Sequence, residues 1–298
     1  MSIEPWYWIA FTIGAAAAQS ARNAMQRELT SVLGTVGATQ VRFLYGLPFG
    51  VLFLLVALKV TGDPVPAFDA ISVAWTAAGA LAQVVATALM LAAMKERSFV
   101  VTTALVKAEP VWVALFGFAL LGETLGWSLL TGVALATAGV LWLSWPATGH
   151  AWAPRPVVLG LASAAVFAAS AIAFRGAMLS IDSGSAFVVK ATAVMVLSLA
   201  MQVLALVGWM LVANRPLLGS VLRVWRPSLA TGLLAAAGSQ GWFLAFAIET
   251  PARIRTLGLI EIVFAQIISR RIFSQQQSAR EWVGMAVLLA GVVLVLRG

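Results

Sequence analysis

Cysteine is missing from all 298 residues, histidine occurs once, and only 10% of positions carry Asp, Glu, Lys or Arg. The missing thiol excludes a disulfide scaffold, a thiolate metal site and a cysteine nucleophile. The single His150 falls in a loop beside Trp152, Pro154 and Arg155, where it reads as solvated. A soluble domain carries about 25% charged residues, so the scarcity of charge places most of the chain in lipid. In its place stands a composition that is 61% hydrophobic. The 19 Lys and Arg against 11 Asp and Glu leave a net charge of +8. No basic run is interleaved with stacking aromatics, so nucleic acid is not the partner, and the excess reads as basic loops facing the cytoplasm.

About 20 apolar residues cross the hydrocarbon, and ten runs of that order are present. They extend from Trp6 to Arg22, Val36 to Leu58, Ala70 to Ala93, Phe99 to Leu121, Trp127 to Trp145, Pro156 to Met178, Ser185 to Val212, Ser228 to Ile248, Ala252 to Ile272 and Trp282 to Leu296. The runs are continuous rather than alternating, and a helix satisfies every backbone group within its own segment, which predicts an all-α membrane protein rather than a barrel. The longest polar connection, Ala213 to Arg226, is too short for a domain, and its Leu217, Leu218, Val221 and Leu222 place it at the interface. Met1 to Pro5 has no Lys or Arg, so the first run is a permanent span rather than a signal peptide. Eleven basic residues lie in or beside the odd-numbered loops against five on the other face: Lys59, Arg175, Arg253, Arg255 and Arg297. That bias puts the odd loops in the cytoplasm and both termini outside.

Glu109 and Glu261 are 152 residues apart, as are Gly132 and Gly284, and Gly139 and Gly291. One offset shared by three pairs indicates duplication, into residues 1–147 and 155–298. Five spans per copy is an odd number, so the second copy is expected to enter the membrane inverted, with a site near the midplane. Lys95 to Leu141, with Ser98 and Thr102 opening the fourth span, Glu109-Pro110 within it, Leu121-Gly122-Glu123 closing it and Gly132 to Gly139 in the fifth, resembles the EamA domain of the drug/metabolite transporter superfamily. The resemblance extends over two tandem copies. It implies ten spans as five plus five and transport, often export, of small metabolites such as amino acids, nucleotide sugars and phosphorylated sugars, or of drugs. The second copy departs from the first, with Gln275 in place of Glu123 and Ile262 in place of Pro110.

An ionisable group near the bilayer centre needs a partner or a wet cavity. Glu109 and Glu261 sit near the middle of the fourth and ninth spans; they read either as coupling or gating carboxylates or as helix ties neutralised by fixed bases. Lys107 precedes Glu109 by two residues, about 200° around a helix, so the two face different neighbours. Lys107, Arg42 and, in a supporting role, Lys190 are the candidate anion-binding bases. Three bases against two acids favour a substrate bearing carboxylate or phosphate. Trp112 and Trp242 are candidate pocket walls, Gln83 and Gln240 candidate substrate amides with helix association as the competing use, and Pro110 a candidate gating kink.

No metal-ligand cluster, Walker lysine motif or nucleophile elbow is present, so no cofactor or metal is expected and the chain reads as no enzyme. The reading is an inner-membrane secondary carrier that exports small anionic or zwitterionic metabolites such as amino acids, working by alternating access with protons as candidate coupling ion. The alternatives are a multidrug exporter of quaternary cations and, from another class, an intramembrane lipid-modifying enzyme.

Overall fold

The computed structural model describes residues 6–96, 105–144, 154–181, 184–264 and 279–297. Among them every regular element is a helix: α1 (Tyr7–Leu44), α2 (Leu47–Thr61), α3 (Ala70–Glu96), α4 (Glu109–Leu121), α5 (Trp127–Ser144), α6 (Pro154–Ser180), α7 (Phe187–Ala213), α8 (Arg215–Arg223), α9 (Trp225–Ile248), α10 (Pro251–Gly258) and α11 (Ala279–Arg297). Five stretches are long and apolar enough to cross a membrane: Val32–Thr61, Ala70–Met90, Val157–Ser180, Phe187–Ala213 and Trp225–Ile248, with shorter apolar helices at Glu109–Leu121, Trp127–Trp142 and Trp282–Arg297. The chain is therefore a multi-pass, all-helical membrane protein. The predicted start of the fourth span with Ser98 and Thr102, the end of the ninth at Ile272, His150, Gln275 and the boundary at residue 147 lie outside the described residues.

Helix ends follow local chemistry. The first helix runs past the expected stop at Arg22 because nothing from Asn23 to Leu33 breaks it; the interruption comes at Gly34, whose φ of 65° suits a residue without Cβ. Asp69 caps α3: its Oδ1 accepts from the Ser72 amide at 2.8 Å, and these bonds hold its carboxyl below the usual aspartate range. Gly122, at φ 66°, ends α4, and the Glu123 amide reaches back to the Gly117 carbonyl at 3.1 Å. The polar connection before α9 folds as α8, capped by Asn214, whose side chain accepts from the Leu217 amide.

The helices gather into two compact units, Met1–Val84 with Ala173–Ile248, and Val85–Ile172 with Glu249–Gly298. Each draws on residues before and after the predicted division of the sequence at 147–155. In the first unit, α1 and α9 lie antiparallel at close range: a Cβ added at Gly241 would sit 2.8 Å from the Phe11 carbonyl, while Gly238 faces Ala15 and Gln19. At the start of α7 the Ala186 amide donates to Asp63 Oδ2 at 2.6 Å. At its far end Met210 joins Leu29, Leu33, Ala38, Val41 and Val221 in a buried cluster. The two ends of this 27-residue helix are about 40 Å apart at 1.5 Å per residue, so the loop after α2 and the helix α8 occupy opposite membrane faces.

In the second unit α5 and α11 cross antiparallel through glycines. A Cβ at Gly139 would lie 2.5 Å from the Leu288 amide nitrogen and 2.8 Å from the Gly284 carbonyl, and one at Gly132 would lie 2.8 Å from the Gly291 carbonyl. Such backbone-to-backbone approach is the way membrane helices gain van der Waals contact without a hydrophobic drive. Ser128 Oγ adds a bond to the Leu294 carbonyl at 2.8 Å. Beside the crossing, Val113, Ala114, Leu129, Val133, Ala168, Ile172, Ala252 and Val295 form a buried core.

Candidate functional site

The expected continuous fourth and ninth spans are both interrupted, at the same register. Lys107 and Ala108 form a turn before α4 begins at Glu109, and Leu259 and Ile260 form a turn before a helical stretch begins at Glu261. The turn bonds match: the Ala108 amide donates to the Leu105 carbonyl at 3.2 Å and the Ile260 amide to the Leu257 carbonyl at 3.0 Å. These are tight i→i+3 bonds of the kind that mark interruptions in helices. After the second turn the Ile262 amide donates to the Leu259 carbonyl at 3.0 Å. Its counterpart Pro110 has no N–H to give, yet the break occurs in both places. Proline is thus accommodated at the first turn of α4 rather than required for the interruption.

Each carboxylate then opens a helical segment, where a negative charge complements the unpaired amides. Each is paired with a base from the other half of the sequence. Lys107 Nζ donates to Glu261 Oε2 at 2.7 Å, and Arg255 Nε stands 3.0 Å from Glu109 Oε1. All four side chains are sheltered, 11 to 15% exposed. Lys107 and Glu109 are two residues apart and Arg255 and Glu261 six, so the two pairs stand side by side and gather two basic and two acidic side chains. Trp112 stands one turn beyond Glu109, against Phe116 with ring centroids 5.9 Å apart, and packs on the core of this unit. Pro110 is buried at the base of the same helix.

Glu109, Glu261, Lys107, Trp112 and Pro110 are therefore neighbours in the second unit. The remaining predicted residues belong to the first unit, and most have partners there. Lys190 Nζ donates to the Ile181 carbonyl at 3.1 Å. Gln83 Oε1 accepts from Gln202 Nε2 at 2.6 Å, Gln240 Nε2 donates to Thr192 Oγ1 at 2.7 Å, and Trp242 Nε1 donates to Gln19 Oε1 at 3.2 Å. Arg42 is buried, with its guanidinium carbon 5.1 Å from the Phe43 ring centroid.

Arg255 is the residue sequence reasoning missed. It was counted among loop bases, although it lies inside the predicted span from Ala252 to Ile272. Of the predicted bases, Lys107 alone stands against Glu109 and Glu261 within the second unit, and Arg255 brings the count to two bases and two acids, while Arg42 and Lys190 belong to the first unit. Arg175 was counted in the same way and donates instead to the Phe246 carbonyl at 2.6 Å within the first unit.

Chemically, a balanced cluster resists one-sided disruption. Withdrawing a single partner leaves a sheltered charge exposed to low dielectric, at a cost of about 3–5 kcal/mol for a buried pair. A molecule carrying both signs can replace both halves of a pair at once.

Residues 6–145 match the profile of the EamA-like transporter family. A crystal structure of a protein with 18% sequence identity superposes with a TM-score of 0.68 over 96% of this chain and 95% of its own, a likeness of fold. No curated protein sequence matches the chain.

Proposed function

We propose, for a chain whose residues 6–145 match the EamA-like transporter family, that it is a secondary carrier of the drug/metabolite transporter type exporting small zwitterionic or anionic metabolites, amino acids among them. The observation that carries this reading is the neutral cluster of Lys107, Arg255, Glu109 and Glu261. A substrate carboxylate takes the place of Glu261 on Lys107 or of Glu109 on Arg255, and a substrate ammonium takes up the carboxylate so released. A purely cationic molecule leaves a sheltered base unpaired, which ranks quaternary drugs lower. Protonation of Glu109 discharges it and frees Arg255 for a substrate anion, which is the proposed route of proton coupling. Arg42 is a second candidate for anionic groups; Lys190, Gln83, Gln240 and Trp242 are assigned to helix association.

Ten spans arranged as two inverted copies are part of the proposal. The glycine crossing supports it: an offset of 152 carries Gly132 onto Gly284 and Gly139 onto Gly291, and the contacts run from Gly132 to Gly291 and from Gly139 to Gly284. That reciprocity is what a two-fold axis produces, and the matched breaks before Glu109 and Glu261 obey the same offset. Alternating access follows from such symmetry in other carriers. For orientation, Arg175 and Arg255 are engaged within helices on the sparsely basic face, and Arg22 is buried within α1 on the other. The bias toward cytoplasmic odd loops remains, and an inner-membrane location is part of the proposal.

A thermal-shift panel on the purified protein tests the substrate class. Amino acids or other carboxylate-bearing zwitterions are expected to raise the melting temperature. Stabilisation by quaternary amines alone would reassign the protein to drug export, and release of soluble hydrolysis products from added lipid would move it to the enzyme class.

A further inference from the structure

We propose that α8 and the first turn of α9 form a binding surface for acidic phospholipid headgroups. The segment joins two helices that are long and apolar enough to span the bilayer, Phe187–Ala213 and Trp225–Ile248, so it lies where one leaves the membrane and the next returns. One face of α8 is fixed to the protein: Val221 is buried, Leu217 and Leu218 pack on the cluster built by Leu29, Leu33 and Val41, and the Tyr45 hydroxyl donates to the Val221 carbonyl at 3.1 Å. The other side presents Arg215 and Arg223, and Arg226 follows at the start of α9; all three are exposed.

No Asp or Glu occurs from residue 183 to 248. Among the described residues none of the three guanidinium groups meets a carboxylate: Arg215 Nε donates to the Leu211 carbonyl at 2.8 Å, and the Arg226 guanidinium stands 5.5 Å from the Trp225 ring. A planar guanidinium matches a phosphate with two parallel hydrogen bonds.

Apolar side chains decide which phosphate. Val212 is 91% exposed, and Leu222 and Trp225 about half exposed beside the arginines. A free phosphate gains nothing from them, whereas a phospholipid sets its phosphate on the arginines and its glycerol and upper acyl carbons against Leu222 and Trp225. Tryptophan at this level is the usual interfacial anchor, and an amphipathic helix with a basic polar face is the usual reader of anionic lipid.

The test uses the full-length protein in detergent with phosphatidylglycerol or phosphatidylcholine of identical acyl chains, and counts retained lipid by native mass spectrometry. The wild type is expected to retain phosphatidylglycerol in preference. Replacing Arg215, Arg223 and Arg226 together by Gln should erase the preference, at about five-fold per arginine, while replacing them by Lys should keep most of it. Equal retention of both lipids by the wild type, or an unchanged preference in the Gln variant, overturns the proposal. So does displacement of phosphatidylglycerol by excess inorganic phosphate, which would indicate a soluble-anion site. Should the Gln variant fail to assemble, brominated lipids decide on the native arginines: the Trp225 fluorescence, taken as wild type minus Trp225→Phe, should be quenched more by brominated phosphatidylglycerol than by brominated phosphatidylcholine. Equal quenching rejects the surface.

Discussion

Removing the Lys107 ammonium leaves the Glu261 carboxylate, 8% exposed as a residue, without its closest base. Lys107→Ala is therefore expected to destabilise the folded protein by about 3–5 kcal/mol, and the double variant Lys107→Ala with Glu261→Gln to recover most of that loss, because it removes both charges. Denaturant unfolding in detergent micelles measures this cycle; a single variant as stable as the wild type would show that the pair is not engaged. The acids and Lys107 were legible in the sequence because a charge inside an apolar run has no bland explanation. Arg255 was not, because it stands four residues from the start of α10 and looks like one more base at a span end. Lys107 and Glu109 take different partners as expected, although the expected 200° assumed a continuous helix and the chain turns at 107–108.

At the scale of elements, the breaks at 107–108 and 259–260 each precede a carboxylate, and no helix-breaking residue is common to both. The copies share no breaker: Pro110 aligns with Ile262, and Gly258 with Val106. Pro110→Ala should then restore a backbone donor matching that of Ile262 and leave transport within about two-fold, the small effect expected of an exchange at a first-turn position where proline is tolerated. Transport assayed in proteoliposomes tests it, and abolition would return the gating role to proline. Helix identity was legible throughout from apolar runs, because lipid enforces it. The breaks were not, since the second has no proline or charged insertion to announce it. Nor was the continuation of the first helix from Asn23 to Leu33, where polarity suggested a loop and helix propensity prevailed.

For the whole molecule, an offset of 152 between matching residues is legible in the sequence, but the packing units are not. Their borders fall inside α3 and α6, and a span's neighbours are chosen by side-chain shape, which a linear offset does not encode. Orientation is open to direct measurement because the native chain has no cysteine. Val65→Cys, after α2, is expected to react with a membrane-impermeant maleimide added outside intact cells, and Ser220→Cys, on α8, only after the membrane is opened. The reverse pattern would invert the topology. The claim on which the rest depends is that a substrate bearing both charges exchanges with the two ion pairs. Counterflow of a labelled zwitterionic amino acid into preloaded proteoliposomes, run at two pH values, tests it most directly. The account predicts accumulation by the wild type, loss of pH dependence in Glu109→Gln, and diminished accumulation by the assembled Lys107→Ala, Glu261→Gln double variant, which retains only the Arg255–Glu109 pair. Undiminished counterflow in that double variant would contradict it.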